Sequence, residues 1–184
     1  MPQSQLISPA SCVVWWSGPS AQPLLASTPR IPHEIGCNHI EQWRSVDSVV
    51  AYDRQIVQNL IKQDTFNVNT QYWTQRVWSQ PGWQSFTIDK HYQQVHDSGT
   101  LAVEVALHLG HRMIHIVGAD WHVTNDSIQQ EHYAFRGHKP NKMPERKRNW
   151  LARVSSRCEI VWVHPVRAPW MRHYLTPDAF LNAL

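Results

Sequence analysis

The residues in this sequence best placed for chemistry are small polar groups that each follow an apolar run. Ser17-Gly18-Pro19-Ser20 follows Ser11 to Trp16, Asn38 follows His33 to Cys37, Asp53 follows Ser48 to Tyr52, and Asp120 follows Met113 to Gly118. A strand, a glycine-containing turn and a helix start make a phosphate-receiving geometry, because unused backbone N–H groups point outward there. One glycine is too few for a dinucleotide fingerprint or a P-loop. His138 stands apart among 12 histidines because Gly137 precedes it and a basic stretch follows. His108 and His111 are three apart at a helix end without a third ligand, so no metal site is expected. Asp120 could ligate a cation in a metal-dependent enzyme or fix the turn after its strand. Three cysteines (Cys12, Cys37, Cys158), odd in number and without a CxxC pair, read as reduced structural thiols.

The elements that must position these groups alternate strand and helix. Asp97 or Ser98 caps a helix that runs through the almost wholly apolar Thr100 to Leu109, with only Glu104 and His108 on its polar face. Gly110 suits the left-handed residue that ends it. Met113 to Val117 is then a strand covered on both faces. Short helices are expected at Ala21 to Ala26 and up to Trp43, and a longer one at Arg54 to Gln63. Short strands are expected at Gln71 to Trp73 and Ser85 to Ile88, in an order the sequence leaves open. Another helix should run from Pro144 to about Arg157, followed by a strand from Glu159 to Val163 and a helix starting at Thr176-Pro177-Asp178. The segment from Trp121 to Pro140 lacks periodicity and follows a strand end, which marks it as a lid. This pattern predicts a layered α/β fold with a parallel sheet. Its strand ends should deliver Ser17 to Ser20, Asn38, Asp53, Ser98 and Asp120 to one cleft.

At 184 residues the chain suits a single domain spanning 1–184, with the lid at about 121–140. No apolar run approaches the roughly 20 residues that cross a bilayer, and the N-terminus lacks the features of a secretory signal, so the expected compartment is the cytoplasm. A formal net charge of +3 does not demand nucleic acid, and aromatics do not interleave with Lys and Arg on one face, so that partner is not expected. The basic helix with Arg146, Lys147, Arg148, Arg153 and Arg157 reads either as a solvated face or as a reach toward a phosphate. Ten tryptophans serve as packing, or in part line a groove for sugar rings.

Taken together, these blocks carry a resemblance. Gly18-Pro19-Ser20, Cys37-Asn38, Ser98-Gly99 and Gly118-Ala119-Asp120 resemble, in that order, the single-domain bacterial sialyltransferases of surface-oligosaccharide assembly. Related blocks occur in phage proteins and motility accessory factors. Glu131 to Lys139 resembles the family's lid, in which a Gly-His pair supplies the catalytic base. The match covers most of the chain apart from its middle third.

The resemblance implies a Rossmann-like sheet with a small lid and a nucleotide-sugar donor, cytidine monophosphate-sialic acid. It implies direct inverting transfer to a sugar hydroxyl with no required metal or other cofactor. By this likeness Ser17, Gly18, Ser20, Asn38, Asp53, Ser98 and Gly99 hold the nucleotide, and His138 takes the acceptor proton. Asp120, His122 and Tyr133 fall at the leaving phosphate or lid. A phosphate-monoester leaving group suits neutral donors, and a histidine near neutral pKa suits removal of a hydroxyl proton.

Four differences from the family mark this chain. Ser17 stands where the family has asparagine before Gly-Pro-Ser, and Asp53 stands where it has a second asparagine. Asp120-Trp121-His122 lacks the family's tyrosine, for which His122 or Tyr133 would substitute, and the lid is shorter. The alternative function is a noncatalytic nucleotide- or sugar-nucleotide-binding protein that keeps the fold. The oligomeric state is left open, a homo-oligomer included.

Overall fold

A computed structural model describes residues 10–63, 67–78, 80–87, 97–119, 145–167 and 170–184. The described strands are β1 (Ser11–Trp15), β2 (Glu34–Cys37), β3 (Ser48–Ala51), β4 (Gln71–Gln75), β5 (Gln84–Phe86), β6 (Met113–Val117), β7 (Glu159–Val163) and β8 (His173–Leu175). They form one sheet in the order β5-β4-β3-β2-β1-β6-β7-β8, and every neighbouring pair is parallel. β1 is therefore central. The chain grows from it toward β5, then returns to lay β6, β7 and β8 on its other side. This is a Rossmann-like α/β fold, as the alternating pattern predicts.

Helices cover both faces, and the period-2 alternation of the strands decides which side chain meets which helix. Val13 and Trp15 point to one face, where they pack with Leu24 of α1 (Gln22–Ser27), Val57 and Leu60 of α2 (Arg54–Gln63) and Phe180 of α5 (Pro177–Leu181). Cys12, Val14 and Trp16 point to the other. There they meet Leu101 and Val105 of α3 (Ser98–His108) and Trp150 and Val154 of α4 (Glu145–Ser155). Every residue of β1 is buried, which explains its unbroken apolar run. All three cysteines are buried free thiols.

α3 begins where the sequence places a cap. The Asp97 carboxylate accepts from the Thr100 N–H at 2.8 Å while the Asp97 N–H donates to Thr100 Oγ1 at 2.9 Å, so two first-turn donors are satisfied reciprocally. Gly110 ends the turn after it at φ 95°.

Several expectations are corrected. His33 sits at φ 62° and stands outside β2, which begins at Glu34. The short helix before Trp43 is one turn of 3-10 helix, Ile40–Gln42. β4 is longer than expected, β5 starts one residue earlier, and β8 was not foreseen. Glu104, expected on a polar stripe with His108, is buried at 5 % exposure, because Trp150 and Arg153 of α4 reach its carboxylate, while His108 stays exposed. The lid at about 121–140 lies outside the described residues.

Candidate functional site

Because all the strands run in parallel, their carboxyl ends share one edge, and open α/β sheets bind ligands where the strand order reverses. Here that point lies between β1 and β6, yet the two loops are stitched together. Trp16 N–H donates to Val117 O at 2.8 Å and Gly18 N–H to Gly118 O at 3.1 Å, so the pairing continues beyond the strands. Ala21 N–H turns back to Gly18 O at 3.0 Å. Two N–H groups of the expected phosphate-receiving turn are thus used internally. Gly118, at φ 82°, permits this approach, since a Cβ there would lie 2.6 Å from Trp16 O.

Among the described residues, an open space lies one step over, at the ends of β1 and β2. A cavity of about 600 Å³ is lined there by Ser17 and Gly18 from the β1 loop, Asn38 and His39 after β2, and Trp43 beyond the 3-10 turn. Leu25 of α1 and Ile56 of α2 form apolar wall. No Lys, Arg, Asp or Glu is among its described lining residues.

Asn38 joins this cavity to a buried polar cluster on the α3 side of the sheet. It adopts φ 57°, a left-handed conformation asparagine tolerates, and its N–H donates to Val50 O at 2.9 Å. The Ser98 hydroxyl donates to Asn38 Oδ1 at 2.6 Å and accepts from the Tyr52 N–H at 3.0 Å. Ser98 is not part of the cavity wall, so it acts on the cavity by orienting Asn38. Gly99 lies against the Trp16 indole, where a Cβ would come within 2.5 Å of the ring. Its need is close packing of the α3 start. Ser20, in the 3-10 turn before α1, is likewise outside the lining.

Asp53 follows β3 on the same edge, and its backbone carbonyl accepts from Val57 N–H at 3.0 Å as α2 starts. Partial burial and the Asp97 charge raise its carboxyl above the ordinary value. Asp97 behaves oppositely. Burial would raise it, but the Lys147 ammonium and hydrogen bonds from Lys147 and Thr100 hold its carboxyl below the ordinary value.

Three cations of the basic stretch are directed to carboxylates of the α3 segment. Lys147 pairs with Asp97, while Arg153 and Trp150 Nε1 both reach the buried Glu104, the indole at 2.9 Å. Arg157 lies 3.9 Å from the same carboxylate. Among the described residues no group of three His, Cys, Asp or Glu could hold a metal. His108 instead meets the rings of Trp73 and Phe86, and His111 that of His33. Asp120, His122, Tyr133 and His138 lie outside the described residues.

Sequence reading missed Gln22, His39, Gln42 and Trp43, all of which line the cavity. It also missed Glu34. This carboxylate is fully buried, paired with Arg44 and hydrogen-bonded by Trp15 Nε1 at 2.8 Å and Ile31 N–H at 2.7 Å. Arg44 stacks over the Trp15 ring and donates to the carbonyls of Leu25, Thr28 and Pro29, which fastens the Trp43 segment to α1. A charged residue opening a four-residue strand gave no signal of this.

No protein family, curated protein or solved structure matches the chain at a significant level. No helix among the described residues is long and apolar enough to cross a membrane.

Proposed function

We propose that the chain binds a nucleotide-activated sugar at the β1–β2 edge and transfers the sugar to a glycan hydroxyl by metal-independent inverting displacement. The supporting observation is the cavity itself. It gathers Ser17 and Gly18 from one strand end with Asn38 from the next, and offers neutral hydrogen-bonding groups without a carboxylate pair among the described residues. The sequence likeness to bacterial sialyltransferases supplies the reaction. Asn38, oriented by Ser98, holds the nucleoside side of the donor together with Ser17 and Gly18. His138 takes the proton of the acceptor hydroxyl as its oxygen attacks the anomeric carbon. The bond to the leaving phosphate breaks on the opposite face, with Asp120 and His122 or Tyr133 near that group.

The test is product formation from cytidine monophosphate-sialic acid and a neutral glycan acceptor, in excess chelator. Transfer should be retained, and His138→Ala should slow it roughly 10²- to 10⁴-fold with nucleotide affinity little changed. Activity or binding that disappears on chelation would overturn the metal-independent reading.

A second reading, nucleotide binding without turnover, is favoured by one observation. The Gly18 and Ala21 N–H groups and the Ser98 hydroxyl already serve the fold. Under that reading no acceptor is glycosylated, and His138→Ala binds nucleotide as the wild type does.

A further inference from the structure

We infer that the cavity takes the uncharged nucleoside of its ligand, with the base stacked on Trp43 and the phosphate left outside; this rests on the nucleotide-binding reading above. Trp43 lines the cavity and is 55 % exposed, while Trp15, Trp16, Trp73, Trp83, Trp150 and Trp162 are all below 9 %. An indole this exposed stands out among the described tryptophans, six of which are consumed by packing. Its backbone is also anchored. The next residue, Arg44, is fixed by the buried Glu34 and by three carbonyls at the end of α1, so the ring stands on a braced segment. A braced aromatic surface loses little freedom when a flat ring settles on it.

The polar lining completes the match. Gln22, Asn38, His39 and Gln42 all have side chains with both donor and acceptor capacity, and none brings a fixed charge. Such groups satisfy the mixed donor and acceptor edge of a nucleobase. A phosphate placed among them would lose hydration without meeting a cation among the described lining residues. His39 Nδ1 is buried with no hydrogen-bond partner among the described residues, an unmet valence in the cavity wall. The volume of about 600 Å³ lies within the range for small-molecule sites.

Calorimetric titration of the full chain with cytidine, cytidine monophosphate, inorganic phosphate and galactose tests this. Cytidine and its monophosphate should both bind, and neither phosphate nor galactose should compete. Trp43→Ala should weaken both nucleoside ligands about 5- to 100-fold, the range of base–aromatic stacking. Trp43→Phe should restore most of the loss, with unchanged thermal unfolding for both variants. Three results would overturn the inference: unchanged nucleotide binding in Trp43→Ala, competition by phosphate alone, or galactose binding that depends on Trp43. The two proposals fail separately. Cytidine binding through Trp43 without sugar transfer would remove the transferase reading only, and transfer by Trp43→Ala at wild-type donor affinity would remove this inference only.

Discussion

Ser98 and Gly99 are adjacent, and the fold uses them in different ways. Ser98 orients Asn38, and Gly99 makes room for Trp16. Gly99→Ala should therefore destabilise the chain by about 1–3 kcal/mol, since the methyl must displace a buried indole or the start of α3. Equilibrium urea unfolding measures it, and an unchanged midpoint would show that the ring moves freely. The sequence marked both residues by type and position but not by duty, because their partners lie more than 40 residues away. His115 carries a second residue-scale consequence. It sits on β6 at 1 % exposure beside Phe180, and burial pulls its imidazole down to about 4 from 6.5, against a small upward pull from the Cys12 backbone. A folded value below the unfolded one means full stabilisation above about pH 6.5, lost as pH falls toward 4, with on the order of 3 kcal/mol at stake. Urea midpoints at pH 7.5 and 4.5 should differ accordingly, and His115→Leu should narrow the gap. Equal gaps in the two proteins would assign the acid sensitivity elsewhere.

At the scale of elements, α3 was legible from its apolar length, its cap and Gly110, whereas its partner α4 was legible only as a helix. What α4 does depends on Glu104 and Asp97, and no local pattern links them to Lys147 and Arg153. β8 escaped notice because His173-Tyr174-Leu175 is three residues long and partly exposed, too short for alternation to register. The pair between Asp97 and Lys147 yields a prediction in which cap and charge separate. Asp97→Asn keeps a good N-cap and removes the charge, while Asp97→Ala removes both, with the cap worth about 0.5–2 kcal/mol. At pH 7 the alanine variant should be the less stable of the two by thermal unfolding. Because the Asp97 carboxyl lies below its ordinary value in the folded chain, its contribution is complete above about pH 4 and fades as pH drops through the lowered value. The asparagine variant should lack that acid component. If the two variants melt together at pH 7, the cap contributes nothing measurable.

For the whole molecule, the sheet order places the best-protected backbone in the middle. β1, β2 and β6 have strands on both sides and helices over both faces, while β5 and β8 are three-residue edges, short enough to resist pairing with another chain. Hydrogen exchange followed by mass spectrometry should find the slowest amides in β1 and β6 and the fastest strand amides in β5 and β8. Slow exchange in β5 would mean that this edge is covered in solution. The parallel sheet was readable because buried strands and amphipathic or wrapped helices follow in turn. The cavity was not, since its walls combine α1, two strand ends and a turn whose apolar members look like ordinary core. The three buried thiols add a last consequence. Burial pushes each thiol upward, Cys158 to about 11 despite nearby arginines, so the folded chain offers almost no reactive thiolate. Cys12 lies in β1, Cys37 in β2, and Cys158 directly before β7. Each can be labelled only when its own neighbourhood opens, so the rates at which an alkylating reagent reaches the three cysteines form a built-in clock for the breathing of the sheet, strand by strand.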